Sequence, residues 1–406
     1  MNPLLLCGFG ISISVDRRKL IIYDKVKKEG LEFYPHQINH DSIIIDGHTG
    51  SITFEAIRWL MKHDINLTIL NWNGNLLGIT LPNEPKAGKL KIAQYRAYLD
   101  SGMRYKIASG IVRQKIVHTF NLLEELSLYY SEIDLKAAEQ LFATEEHNYL
   151  SVHSARAGPT INDLMMYEGR IAAYYWDALT RVFGKLYPEF HFKGRKNKSY
   201  SWNMNASDEV NALLNYGYAV LESEVRKNIN AVGLDPTIGF LHELAGSKTP
   251  LIYDIQELFR WLIDLSVIEL LEERRLKKSD FIVTENFHTR LRANTAKMLI
   301  EKISLNFNRK ASYRGRNCSY QSILFYNIQQ LANHVSDKKK ELLFAIPEIK
   351  IERRDILPIR TKILTMSPAE RKKLGISKSG LWYQKKNLSQ GKRVRIYNKV
   401  LTKIKV

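Results

Sequence analysis

At 406 residues, 45% of them hydrophobic, the chain is long enough for two or three domains with buried cores. Cys7 and Cys318 are its only cysteines, which excludes a disulfide framework and a cysteine-based zinc site, and no uninterrupted apolar run reaches transmembrane length. The formal net charge of +19 is concentrated at one end: residues 309–406 hold 24 Lys and Arg against 6 Asp and Glu, while the first 308 hold 37 against 36. A near-neutral body with a basic extension that meets a polyanion is expected.

The N-terminus, MNPLLLCGFGISIS, has no basic leader region and runs straight into strand-like alternation. A soluble, cytoplasmic protein is expected. Residues 1–84 read as β-rich, with short β-branched and aromatic runs separated by Gly and Asn-Gly signals. NWNGN marks a hairpin, Glu55 to His63 a helix, and Asp46 and His48 a turn. LPNEPKAGK, residues 81–89, is a linker signal, and 85–94 is taken as the boundary before a helical domain over 95–305. Arg96, Arg104, Arg113, Lys115 and His118 recur on the first long helices and read mainly as a solvated face, or as a phosphate-tracking stripe.

A helix over 161–187 carries Glu168, an acid set in an apolar run, and Gly169, Ala172 and Ala173 beside it suggest close helix approach. KGRKNKSYSW follows, a cationic loop ending in aromatics; Lys193, Arg195, Lys196 and Lys198 are its candidate phosphate contacts. Asn205 or Ser207 can cap the next helix, and Arg290, Arg292 and Lys297 lie farther on. In GLDPTIGFLHELAGSKTPLIYDIQELFRWLID, His242 sits in a Gly- and Pro-punctuated loop, and Asp254 and Glu257 open an amphipathic run, three residues apart and so on one helix face. That run is expected to bury Leu251, Ile255, Leu258, Phe259 and Leu262 and to turn Asp254, Glu257 and Asp264 toward other sides. A His near two carboxylates, with Glu168 as the missing ligand, suits a hard metal. The same residues also suit a hydrogen-bonded structural His and acids that serve a helix dipole, and spacing does not decide between them.

Near the end, Ser367-Pro368 is a cap followed by proline at the first helical position, AERKKL runs to Gly375, and ISKSGLWYQKKNL gives a second helix. GKRVRIYNKV then alternates like a strand. Helix, tight turn, helix and basic strand form the layout of a winged helix-turn-helix at about 366–397. Ser377 or Ser379 would cap its recognition helix, Lys378, Lys385 and Lys386 would face phosphates or bases, and Lys392, Arg393 and Arg395 would form the wing.

MMYEGRIAAYYW, NALLNYGYAVLESEV, GLDPTIGFLHE and PLIYDIQELFR, in this order, resemble the CRISPR adaptation integrase family, the universal CRISPR-associated endonuclease that inserts spacers. The resemblance covers roughly residues 1–305. It implies that Glu168, His242 and Glu257 bind a divalent metal, Mg2+ or Mn2+, with Asp254 as a supporting acid and alternative ligand. It also implies an α+β multidomain fold: an N-terminal β-domain that dimerises, a mainly α-helical catalytic domain, and here an added basic helix-turn-helix module over 306–406. That addition resembles the casposase branch, the integrases of self-synthesising mobile elements. The implied reaction is strand transfer of DNA 3′-hydroxyl ends onto double-stranded target DNA, with branched DNA as product and nuclease activity on the side. The implied assembly is a homodimer or a dimer of dimers. The alternatives are a CRISPR spacer integrase of antiviral defence, working with a small ferredoxin-like partner, and a helix-turn-helix regulator with a degenerate integrase body.

Overall fold

The computed structural model describes residues 1–71, 74–81, 87–154, 160–195, 206–242, 249–273, 276–284, 288–339, 341–342, 344–351, 363–373 and 375–389. The chain begins as a six-stranded sheet built from β1 (Pro3–Asp16), β2 (Lys19–Asp24), β3 (Glu29–Phe33), β4 (Ser42–Ile52), β5 (Asn66–Leu70) and β6 (Leu76–Thr80). Their spatial order is β3-β2-β1-β4-β5-β6. β4 pairs parallel with both β1 and β5, and the remaining pairs are antiparallel. Helix α1 (Phe54–Lys62) makes the β4-to-β5 crossover; Thr53 caps it by accepting from the Ala56 N–H.

Alternation along the strands divides the sheet between two cores. Ile43 joins Leu6, Ile13, Trp59 and Leu60 under α1, whereas its neighbour Ile44 joins the core of the helical body. The DGHTG stretch, expected as a turn, is a strand interior: Asp46 and His48 belong to β4. Its glycines serve close approach instead. The register with β1 shifts on either side of Phe9, and a Cβ on Gly47 would lie 2.8 Å from the Gly8 carbonyl oxygen.

The helical body comprises α2 (Gly88–Leu99), α3 (Ser101–Ser127), α4 (Leu135–Ser154), α5 (Ile161–Leu186), α6 (Glu209–Val232), α7 (Pro250–Glu257), α8 (Arg260–Glu273), α9 (Ala293–Asn308) and α10 (Tyr320–Val335). Two small hairpins, β7 (Phe281–Val283) with β8 (Thr289–Leu291) and β9 (Lys310–Tyr313) with β10 (Arg316–Ser319), flank α9. α6 is the centre of the body and packs on α7, α8, α9 and α10 as well as on the sheet. Several local readings change. α2 opens at Gly88, inside the stretch 85–94 read as linker. Asp208, not Ser207, is the N-cap of α6, its carboxylate accepting from the Asn211 N–H at 2.8 Å, and Asn205 lies outside the described residues. Gly169 faces open space and Ala173 is exposed, so that face of α5 carries no close helix approach. Among the described residues no helix is long and apolar enough to cross a membrane.

The body does not stop near residue 305. α10 packs on α2, α6 and α9 and buries Ile323, Leu324, Ile328 and Leu331 completely. Residues 344–351 then run as an extended strap that buries Phe344, Ile346, Ile349 and Ile351. The strap's backbone is held by side chains of and beside α3: Asn121 accepts from the Ile349 N–H at 3.0 Å, Glu125 accepts from the Ile351 N–H at 2.7 Å, and the Tyr129 hydroxyl donates to the Ile351 carbonyl at 2.6 Å. Farther on, α11 (Pro368–Lys373) and α12 (Lys378–Ser389) flank Gly375, whose φ is +66°. Ser367 and Glu370 form a reciprocal cap at the start of α11, and the Ser377 hydroxyl accepts from the Gly380 N–H at 3.0 Å. The strand expected after α12 lies outside the described residues.

Candidate active site

Glu168 projects from the middle of α5 and Glu257 is the last residue of α7. Between them lies Lys115 of α3, whose Nζ is 2.5 Å from Glu168 Oε1 and 2.5 Å from Glu257 Oε2. The amphipathic run read as one helix breaks at Leu258 and Phe259, so α8 restarts at Arg260 and sets its Nη1 3.2 Å from Glu257 Oε1. Asp254, Glu257 and Asp264, expected to face other sides, are all buried. Burial by itself raises the Glu257 pKa, but Arg260, Lys115 and His242 outweigh it and bring it down to about 2. Burial pulls the Lys115 ammonium the other way, and the two carboxylates overcome it and raise its pKa. Glu257 Oε2 is buried against the Lys115 ammonium.

His242 lies on a loop braced by α2, α3 and α7. Gln94 of α2 donates to the carbonyls of Asp235 and Ile238, and Arg104 of α3 donates to that of Phe240 at 3.0 Å. Asp254, completely buried in α7, accepts from the backbone N–H groups of Phe240, Leu241 and His242 at 2.5, 3.0 and 3.0 Å. Its Oδ1 also takes His242 Nδ1 at 2.7 Å, which makes Nε2 the ring's remaining acceptor. Gly239 is required where this loop crosses α7: a Cβ there would sit 2.6 Å from Pro250 Cβ and 2.9 Å from Asp254 Oδ2. Four hydrogen bonds occupy Asp254, so its geometry is that of a loop anchor. Among the described residues no three His, Cys, Asp or Glu side chains form a group that could hold a metal ion. Glu168 and Glu257 meet through Lys115, and His242 is turned into Asp254.

A second buried group adjoins the first. Asp264 of α8 accepts from the Tyr218 hydroxyl at 2.5 Å and the Tyr175 hydroxyl at 2.7 Å. Burial raises its pKa to about 6 against the lowering effect of the two hydroxyls and of Arg195 and Arg260. The guanidinium groups of Arg195 and Arg260 lie 5.2 and 5.0 Å from the centre of the Tyr218 ring.

The candidate DNA contacts fall into three groups. Lys193, Lys378 and Lys386 are exposed, Lys386 lying 5.0 Å over the ring of Trp382. Arg195, Arg292 and Lys385 are tied to the protein: Arg195 donates to Asn211 Oδ1 at 2.8 Å, Arg292 to the Ser279 carbonyl at 2.7 Å, and Lys385 to the Met366 carbonyl at 2.8 Å. Arg195 and Arg292 thereby brace the segments beside them, and Lys385 ties α12 to Met366 ahead of α11. Lys196, Lys198, Lys392, Arg393 and Arg395 lie outside the described residues. The reading of α3 as a solvated cationic face fails at three positions: Arg104 is spent on the Phe240 carbonyl, Lys115 enters the carboxylate cluster, and His118 is fully buried and stacked on Trp261 with ring centroids 4.8 Å apart. The signal was present. Ile107, Ile111, His118 and Leu122 form a buried stripe, and half-buried Lys115 falls in register with it at i+4, i+4, i+3, i+4 spacing.

The model of the family described as CRISPR associated protein Cas1 matches residues 4–304. The chain belongs to the Cas1 family. It is 27% identical over 344 residues to a CRISPR-associated endonuclease Cas1 of Archaeoglobus fulgidus, covering 83% of this chain and 97% of that protein. It is 30% identical over 289 residues to one from Thermodesulfovibrio yellowstonii, covering 70% and 84%. Among solved structures, a casposase bound to integration product superposes with a TM-score of 0.77 at 37% identity, over 90% of this chain and 99% of that one. A Cas1 protein from Thermotoga maritima superposes at 0.66 and 18% identity over 86% and 100%, a likeness of fold.

Proposed function

We propose that this chain is a metal-dependent DNA integrase of the casposase type. It joins DNA 3′-hydroxyl ends to a target duplex and yields a branched product. The meeting of Glu168 from α5 and Glu257 from α7 about Lys115 carries the reading, and His242, held by Asp254, is the third candidate ligand. By its chemistry the donor set suits a hard divalent cation once the three side chains are brought together: two carboxylates that already share one cation, the Lys115 ammonium, and an imidazole whose Nδ1 is already fixed. Glu168, Glu257 and His242 Nε2 would hold Mg2+ or Mn2+, and Asp254 would orient the imidazole without ligating. When bound, the ion polarises the phosphate and acidifies the attacking hydroxyl. In the exchange, the attacking 3′-oxygen bonds to the target phosphorus as the bond to the target strand's own 3′-oxygen breaks. The proton of the attacking hydroxyl is lost and the leaving oxygen gains one, so the number of phosphodiesters is unchanged. No protein nucleophile is required. With water in place of the hydroxyl, the same site cuts DNA.

The casposase likeness spans 90% of the chain at 37% identity, whereas the family match ends at residue 304; this favours the casposase reading over CRISPR spacer acquisition with a small adaptation partner. In this reading the α11–α12 pair is a helix-turn-helix that selects DNA ends, Lys378 and Lys386 contact DNA, and copies of the chain pair through the β-sheet domain, as a dimer or a dimer of dimers. The test is an integration assay with a 3′-hydroxyl duplex and a supercoiled plasmid in Mn2+. Glu168→Ala, His242→Ala and Glu257→Ala should each abolish joining and retain DNA binding. A His242→Ala enzyme that joins at the wild-type rate refutes the assignment.

A further inference from the structure

A buried carboxylate, Glu257, faces a half-buried one, Glu168, and without compensation desolvation and like-charge repulsion both disfavour the ionised pair. Here the compensation is a side chain. The Lys115 ammonium touches Glu168 Oε1 and Glu257 Oε2 at the same 2.5 Å, from the middle of a 27-residue helix. It thus occupies the bridging position that a shared cation needs. Arg260 pairs with the other Glu257 oxygen, so the latter carboxylate meets a cation on each oxygen.

We infer that Lys115 is an exchangeable internal counter-ion. It neutralises Glu168 and Glu257 when no metal is bound and is displaced from between them when the metal enters. This inference rests on the metal-binding reading above. The side chain suits the exchange. An ammonium on four methylenes can swing out by rotamer changes, which a guanidinium held in a fork does less readily. Helix α3 itself need not move, since its buried stripe and its bonds to the strap fix it. Lys115 would thereby keep the acidic cluster folded before metal arrives, and it would set metal affinity by competition.

Three measurements on the full-length protein test this. Mn2+ binding is measured by calorimetry on wild type, Lys115→Met and Glu168→Gln. Removing a competing unit charge a few ångströms from the ion should tighten Mn2+ binding by about tenfold in Lys115→Met. Thermal melting in EDTA should fall for Lys115→Met, and saturating Mn2+ should close the gap to wild type. Acylation of wild-type lysines, read by mass spectrometry, should increase at Lys115 on adding Mn2+; this arm needs no variant to fold. Unchanged or weaker Mn2+ binding in Lys115→Met, or Lys115 labelling that does not rise with Mn2+, overturns the counter-ion role while the metal centre stands. Wild-type Mn2+ binding that survives Glu168→Gln unaltered overturns the metal centre, and the counter-ion role falls with it.

Discussion

Asp254 separates an anchor from a ligand, and Asp254→Asn is the perturbation that tells them apart. The wild-type carboxylate accepts four hydrogen bonds, three from the backbone of Phe240, Leu241 and His242 and one from His242 Nδ1. An amide of the same shape keeps one acceptor oxygen and turns an NH2 toward N–H groups that also donate. Of the three backbone donors, those of Phe240 and Leu241 belong to buried residues. A buried donor left without an acceptor costs about 1–3 kcal/mol, so losing one or two of them amounts to about 3 kcal/mol. At about 2.1 cal/mol/K of unfolding entropy per residue over a chain of this length, that is a melting-point drop of about 4 °C. The loop would loosen and His242 would lose its orientation, so joining falls as well. The assay is differential scanning fluorimetry in EDTA alongside the joining reaction. Asp254→Asn should lose stability with no metal present. A variant that melts with wild type in EDTA yet no longer binds Mn2+ would show that Asp254 is itself a ligand.

Asp264 has a folded pKa of about 6 against 3.8 for the ordinary group, so its contribution to stability is full below about pH 4 and is lost as pH rises through about 6. Asp264→Asn should remove that slope, a change on the order of 3 kcal/mol between pH 4 and pH 7; identical wild-type and variant pH–stability curves count against it. Ending the chain near residue 306 should give insoluble protein, because α10 and the strap supply a large part of the main core. Ending it just after 351 removes, among the described residues, only Ile363, Met366 and Leu381 from that core and should leave a less stable enzyme that still joins DNA but loses preference for a specific end; a soluble, cooperatively melting 1–306 fragment contradicts the first expectation. Replacing Lys378 and Lys386 with Ala should lower the log–log salt slope of DNA binding by up to about two units, at roughly 0.9 per phosphate contact. An unchanged slope returns both lysines to the solvated surface.

What the sequence made legible follows from how local each signal is. The period-2 and period-3.6 runs announced the sheet and the helices. Thr53, Ser367 and Pro368 act at helix starts through side chains or ring geometry that a motif can specify. The ligand candidates Glu168, His242 and Glu257 came from motifs in order, and their neighbourhood depends on three separate elements that spacing does not relate. DGHTG misled because glycine serves turns and bulges alike. Lys115 and His118 misled because a charged or titratable side chain on a long helix ordinarily faces water; only their register with Ile107, Ile111 and Leu122 marks them as inward. The strap FAIPEIKI alternates like a strand, yet side chains of α3 and α10 satisfy its backbone; Asn327 both donates to the Ala345 carbonyl and accepts from its N–H. No pattern within the strap itself encodes that partnership.

α3 joins these findings into one physical object. Along it lie Lys115 in the carboxylate cluster, His118 stacked on Trp261, and Asn121 and Glu125 bonded to the strap. From Lys115 to Glu125 is ten residues, or about 15 Å at 1.5 Å per residue. The strap therefore ends within about 15 Å of the acidic cluster, on a helix whose core face is close-packed. Burial of its four apolar side chains, at about 1.5–3 kcal/mol each, holds it there far more firmly than the hydrogen bonds alone. The basic extension is consequently anchored at Ile351, not at the residue-305 boundary where the family match ends. Ile363, Met366 and Leu381, before and within the α11–α12 pair, are buried in the same main core, so that pair is packed on the body as well. In the proposed function, end selection and metal loading would both depend on this one packed core.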